Sequence, residues 1–202
     1  MSFFKNFFKS PKSSEEEQDS SEKSTYSPDV NLPLDELFVH NFRANGGKFL
    51  YCDSLSEVKE QFINILEEND WFECEATCFE PVLFSLLEEN KLNFQEAKNP
   101  KFHLCTCESL TADEGSVVLS EKQIKHLKPN EISSNIIIFG TTSQLVRTKT
   151  DGLREIKKKY VTNYPSNITS IKNFSNNIAS QENFLSYGSC SKNLYLLLLE
   201  DL

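Results

Sequence analysis

The residue types best suited to chemistry gather in "KFHLCTCESLTADEGSVVLSEKQ", Lys101 to Gln123. His103, Cys105 and Cys107 alternate there, so along an extended strand all three share one face while Leu104 and Thr106 take the other. Cys74 and Cys78, four positions apart, add two more thiols. Imidazole and thiolate are zinc ligands, but C-x-C is shorter than the usual pairing and neither pair is followed by a second knuckle. The chain also has no C-x2-C spacing of the kind an iron–sulfur cluster takes. Free cysteine is among the most buried residue types. The thiols therefore read as core, and we expect no metal.

The same stretch holds Asp113 and Glu114 in front of Gly115. Thr111 to Glu114 is a polar break between two apolar runs, and glycine takes a positive φ at little cost. That predicts a β-hairpin between the flanking strands, with Gly115 and Ser116 as its structural turn. The carboxylates are either a solvated tip or groups presented to a cleft; in the second case Glu114 is the candidate base or nucleophile. Further on, Gly140, Thr141, Thr142 and Ser143 follow an apolar strand and open a helical stretch. Their N–H and hydroxyl groups either cap that helix or hold a small carboxylate or phosphate. His103 and His126 have no carboxylate partner that spacing can name.

The elements positioning these groups alternate. "GKFLYC" reads as a strand, and "DSLSEVKEQFINILEEND" as a helix with Ser54 and Glu57 in a capping box and Leu55, Val58, Phe62, Ile65 and Leu66 at helical spacing. "WFECEA" is a weak strand; "PVLFSLLEEN" is a helix with Pro81 in its first turn. "FHLCTC" and "SVVLS" are strands, and "NIIIFG" is apolar enough to require cover on both faces, as in a parallel sheet. A helix over Thr142–Tyr160, a polar helical stretch "NITSIKNF" and a last buried strand "NLYLLLLE" complete the series. The pattern predicts an α/β fold: a three-layer Rossmann-like domain with a mostly parallel sheet and a β-hairpin insertion.

Composition excludes several functions. The 202 residues carry a net charge of −9, and nucleic-acid binding needs clustered Lys and Arg. The one basic cluster, Arg154–Tyr160, suits a helix carboxyl end. The first residues do not read as a secretory signal, and no run of about 18 apolar residues occurs in the sequence, so neither export nor a membrane span is expected. Six cysteines without an export signal are expected to be reduced thiols in the cytoplasm. Residues 1–36 form a tail, its acidic, Ser-rich part too polar to offset its chain entropy. Within it, Phe3, Phe4, Phe7 and Phe8 share one helical sector, with Lys5 and Lys9 opposite. That segment is either a tag or an amphipathic hook for a partner or for weak peripheral membrane contact through residues 3–8.

The stretch from Thr111 to Gly140 resembles the central signature of the lactate utilization protein C family, the LUD domain. The matching residues are Ala112, Gly115, Ser116 and Val117, then Leu127 and Pro129, then the apolar run Ile136 to Phe139. The element order and the closing "SKNLYLLLLED" are similar as well, and the likeness spans residues 37–202. It implies a ribose-5-phosphate isomerase or CoA transferase-like fold. It also implies a role beside iron–sulfur proteins that oxidise L-lactate, with the clusters on those partners and no cofactor on this chain. At the family's Gly-x-His-Gly-Pro-Arg segment this chain has "GSCSKN", leaving Gly188 and Lys192 as remnants and Cys190 near the family histidine. Losing that histidine removes a proton-transfer group, and lysine for arginine forfeits bidentate anion binding. The expectation is an accessory protein with an altered anion cleft, Lys192 included. The alternatives are an enzyme acting on a sugar phosphate or CoA thioester, and a peripheral membrane or scaffold protein.

Overall fold

The structure is a computed structural model that describes residues 32–95, 97–128, 130–174 and 192–201. Phe3 to Phe8, Pro129, Gly188 and Cys190 lie outside the described residues. Helix α1 (Leu34–Ala44) comes first, its opening turn made by residues that composition assigns to the tail. Phe38, Val39 and Phe42 bury its inner face, and the rings of Phe38 and Phe42 stack at 5.3 Å. Strand β1 (Lys48–Cys52) leads into α2 (Leu55–Asn69). Ser54 Oγ caps that helix by accepting the Glu57 N–H at 3.2 Å, and the Glu57 carboxylate reaches back to the Asp53 N–H at 2.8 Å. Val58, Phe62, Ile65 and Leu66 face the core as expected, whereas Leu55 stands 62% exposed at the helix entrance.

Strand β2 is only Ala76–Thr77. The expected strand over "WFECEA" is interrupted because Asp70 and Glu73 adopt left-handed backbone (φ 53° and 57°). Trp71 instead drops into the core and stacks on Phe102 at 5.2 Å. A 3-10 turn (Pro81–Leu83) leads into α3 (Phe84–Glu89), and β3 (Phe102–Thr106) follows. Next come β4 (Ser109–Thr111), β5 (Ser116–Leu119), α4 (Glu121–Ile124) and β6 (Asn135–Thr141). The expected helix over Thr142–Tyr160 is a 3-10 turn (Thr142–Gln144), a short strand β7 (Leu145–Val146) and α5 (Lys149–Lys159). The expected helix "NITSIKNF" is instead β8 (Thr169–Ile171), and β9 (Asn193–Leu199) is the last element described.

Five strands form a parallel sheet in the order β1-β9-β6-β3-β2. Its centre is uniformly apolar for a physical reason: both faces are covered. Phe102, Leu104, Ile137, Tyr195 and Leu197 point toward α2 and α3, in one core with Phe62, Leu66 and Trp71. The alternate positions turn to the other face, where a second sheet packs, in the order β7-β4-β5-β8. At Gly140 a side chain would lie 3.4 Å from Leu110 of β4 and 3.4 Å from Leu196 of β9, so the two layers meet there. The layers are therefore helices, a parallel sheet and a second sheet. Fully burying each such Leu or Ile contributes about 1.5–3 kcal/mol.

The predicted hairpin exists, but its partners differ from the expected ones. β5 pairs antiparallel with β4, while β3 stays in the parallel sheet between β2 and β6. "FHLCTCESLT" is therefore two strands, with the chain crossing between sheets at Cys107 and Glu108.

Candidate functional site

Ligands of open α/β sheets gather beyond the carboxyl ends of the strands. At that edge β3 ends in Thr106, whose N–H and hydroxyl both donate to the Glu80 carboxylate at 2.6 Å. The Gln123 amide donates to Thr106 Oγ1 at 3.3 Å, and Gln123 Oε1 accepts the Ser120 N–H at 2.9 Å. One residue past Cys107, the Glu108 side chain is wholly buried. It accepts the Ser120 hydroxyl at 2.7 Å and the Tyr160 hydroxyl at 3.2 Å, and pairs with the Lys159 ammonium at 3.2 Å. Two ammonium groups lie over the ring of Tyr160, Lys122 at 4.7 Å and Lys159 at 5.1 Å from its centroid.

The electrostatics keep protons in place. Partial burial pulls Lys159 down, but the Glu108 charge and the hydrogen bonds to Tyr160 and Glu108 outweigh it, so the ammonium is held above its ordinary range. Burial pushes the Tyr160 phenol up, and the Glu108 charge adds to this against the opposing pull of Lys159. Glu108 thus fastens three elements: β4 at its start, α4 through Ser120, and the end of α5.

A second group of bonds surrounds Thr141 to Gln144. Gln144 Oε1 accepts the Thr141 N–H at 2.9 Å, and its amide donates to the Cys107 carbonyl at 2.6 Å. The Asp201 carboxylate accepts the Ser143 N–H at 2.8 Å, the Ser143 hydroxyl at 2.7 Å and the Thr142 hydroxyl at 2.9 Å. The residues expected to receive an external anion at a helix start form only a three-residue turn, and a carboxylate of the chain itself sits on them.

The other predicted residues are placed elsewhere. Lys192 is buried, with its ammonium donating to the Ile132 carbonyl at 2.7 Å. It precedes β9, which runs parallel to β6 with Asn193 opposite Asn135 and Leu199 opposite Thr141. Lys192 and Thr141 are thus at opposite ends of the sheet, about 23 Å apart for seven strand residues. Glu114 lies in the hairpin turn, which is docked on α1: the Asn41 side chain donates to the Ala112 carbonyl at 2.8 Å, and Asn45 to the Glu114 carbonyl at 2.7 Å. Ser116, at 3.5 Å, is the neighbour of its carboxylate. Gly115 has φ +57°, and a Cβ there would meet the Asn41 main chain at 2.3 Å, so the turn is structural.

His103 is buried and its Nε2 lies 3.1 Å from the Gln123 carbonyl. Burial pushes its pKa down to about 4, against the Gln123 hydrogen bond. Burial likewise pushes Cys52 up to about 12 and Cys78 up to about 11, and raises Cys105 and Cys107 as well. Among the described residues, no group of three His, Cys, Asp or Glu side chains is placed to hold a metal ion.

This fold is similar to that of a DUF162 family protein from Deinococcus radiodurans. The two share a TM-score of 0.55 and 13% sequence identity, over 84% of this chain and 99% of that one. At that identity the likeness shows the fold: mixed α/β, with a mostly parallel five-stranded sheet and a second sheet. No protein-family model matches the chain, and no curated protein matches it. Among the described residues no helix is long and apolar enough to cross a membrane.

Sequence reading missed Glu80, Glu108, Asp201 and Tyr160, the groups that hold the strand ends. Part of their setting carries a signal. Ser120-x-x-Gln123 and Thr148-x-x-Asp151 match the capping pattern, and both form reciprocal caps. A single carboxylate beside an apolar strand carries none.

Proposed function

We propose that this chain is a LUD-type accessory protein of L-lactate oxidation, a cytoplasmic component that binds the iron–sulfur protein or proteins of that system. DUF162 corresponds to the LUD domain, so the structural neighbour and the sequence resemblance support the same family by separate routes. The residues that carry the resemblance, Ala112, Gly115, Ser116 and Val117, lie together in and beside the docked hairpin turn. A non-catalytic role rests on one observation: the Asp201 carboxylate occupies the Thr142–Ser143 turn. A carboxylate or phosphate arriving from solution has to displace charge-assisted bonds already made within the chain. Anaerobic affinity capture with the full chain from its native extract, followed by mass spectrometry and iron and sulfide analysis, is the test. Recovery of an iron–sulfur protein in comparable molar amount is expected; a capture free of iron counts against the reading.

One observation favours a second reading, an enzyme acting on a sugar phosphate or CoA thioester. Lys159 is 56% exposed and, beside Tyr160, presents a cation near the carboxyl end of β3. Thermal shifts with phosphates, lactate, pyruvate and CoA esters separate the two. Stabilisation by one of them that disappears in Lys159→Met supports the enzyme, and no stabilisation by any removes it.

A further inference from the structure

A cavity of about 580 Å³ opens beside the edge strand β2. This volume falls within the range of small-molecule sites. Phe79, Phe84 and Phe94 supply aromatic wall, with Phe84 and Phe94 in contact at 4.8 Å between centroids. The polar groups on its lining are Thr77, Gln95 and Glu131, and among the described residues no Lys or Arg lines it. Glu131 is exposed, and one of its oxygens accepts the Lys128 N–H at 2.8 Å. The carboxylate is therefore oriented while its other oxygen is left for a ligand.

A second observation concerns the layer behind the wall. His103 pairs with Thr77 in register and packs its ring on Phe79 at 5.6 Å, so it backs two wall residues. Its Nε2 faces the Gln123 carbonyl and must carry the proton, which leaves Nδ1 as an acceptor. That Nδ1 is a buried nitrogen with no hydrogen-bond partner. The wall therefore presents a carboxylate and three phenyl rings, and the imidazole buried behind Phe79, its pKa lowered to about 4, adds no positive charge at neutral pH. One ring already attracts a cation, because the Lys125 ammonium lies 5.9 Å from the Phe79 centroid.

We propose that this cavity binds a primary ammonium ion carried on an aromatic or branched apolar body. The body fills the phenyl-lined space, and the ammonium pairs with Glu131 and lies against the rings. An acidic ligand of the same shape meets the Glu131 carboxylate, and the Lys125 ammonium over Phe79 is not among the described lining residues, so Glu131 makes the site selective for charge rather than for apolarity alone.

Calorimetric titration of the full chain at neutral pH with 2-phenylethylamine and with 3-phenylpropionate tests this directly. The amine is expected to bind at least about tenfold more tightly than the acid, and Glu131→Gln to weaken the amine about tenfold. Glu131 is exposed, and glutamine keeps an oxygen for the Lys128 N–H, so that variant folds. Phe94→Leu keeps an apolar wall without the π-face and is expected to weaken the amine more than the acid. No saturable amine binding, equal binding of amine and acid, or amine binding indifferent to Glu131→Gln overturns the proposal.

Discussion

The carboxylate of Asp201 sits on the main-chain N–H of Ser143 at 2.8 Å, one oxygen also taking the Thr142 hydroxyl and the other the Ser143 hydroxyl. In return the Asp201 N–H donates to Thr142 Oγ1 at 3.1 Å, so strand β9 is tied to the turn after β6 in both directions. This reciprocity gives the turn its shape without a long helix behind it.

Asp201→Ala should cost about 1 kcal/mol, the lower end for charge-assisted bonds because the carboxylate is exposed and screened. Slight burial acts to raise its pKa, but the hydrogen bonds from Ser143, Thr142 and Thr141 hold it below the ordinary range. A lowered folded-state pKa gives stability that is present above the unfolded value and lost as pH falls through the folded one. Urea titrations should therefore show a wild-type advantage over Asp201→Ala that shrinks below about pH 4. An advantage unchanged in acid removes the carboxylate from the account.

Gly115→Ala should be among the most destabilising single changes in the second sheet. Its φ of +57° disfavours any side chain, and the added Cβ meets Asn41 carbon and Phe42 nitrogen at 2.3 Å, main-chain atoms that cannot swing aside. Strain and overpacking together predict a loss of about 3 kcal/mol. Asn45→Ala, which frees the Glu114 carbonyl, should cost about 1 kcal/mol. If the glycine variant unfolds at the wild-type urea midpoint, the docked turn is not what holds α1.

The parts legible in the sequence are those whose signal is periodic over many residues. α2 shows its apolar stripe and Ser54 cap, and β6 and β9 show apolar runs that only a doubly covered sheet explains. β7 and β8, at two and three residues, are too short to carry a period, and their partners β4 and β5 lie far away in the chain. The break at Cys107 and Glu108 was hidden because "FHLCTCESLT" stays strand-like throughout while changing sheets. At the candidate site Gly115 was readable from its turn chemistry. Lys192 was misplaced because a remnant of another family's pattern does not say at which end of a strand it falls. Glu80, Glu108 and Asp201 are single carboxylates, and only the folded chain supplies their partners.

Glu108→Ala should destabilise the fold by about 3 kcal/mol, because it strips a buried acceptor from Ser120 and Tyr160 and a charge from Lys159. Glu108→Gln should cost less, since the amide oxygen still accepts a hydroxyl. The raised pKa of Lys159 gives stability that is full below the unfolded lysine value and lost as pH rises through the folded one. Buried thiols and Lys48 cost both proteins stability in alkali, but wild type should lose an additional share above about pH 10.4 that Glu108→Gln does not. Identical alkaline limbs for the two would mean that the ion pair contributes nothing.

His103 should make the fold acid-sensitive in a window of its own. Burial lowers its pKa to about 4, assisted by the Lys192 charge and opposed by the Gln123 carbonyl, while the unfolded chain takes up the proton near the ordinary value of 6.5. Between those limits the unfolded state binds a proton that the folded state refuses, so stability falls as pH falls, by about 3 kcal/mol across the window. Above pH 6.5 neither state is protonated and the slope vanishes, and below about 4 both are. His103→Gln keeps a donor toward the Gln123 carbonyl and has no proton to gain, so its stability should fall less than that of wild type between pH 6.5 and 4, the remaining fall at the acid end coming from carboxylates common to both. The Asp201 effect lies below this range, which separates the two groups in a single pH series. Parallel wild-type and His103→Gln curves across the window would show that the imidazole takes its proton inside the folded protein, and the buried acceptor behind Phe79 would then be a cation.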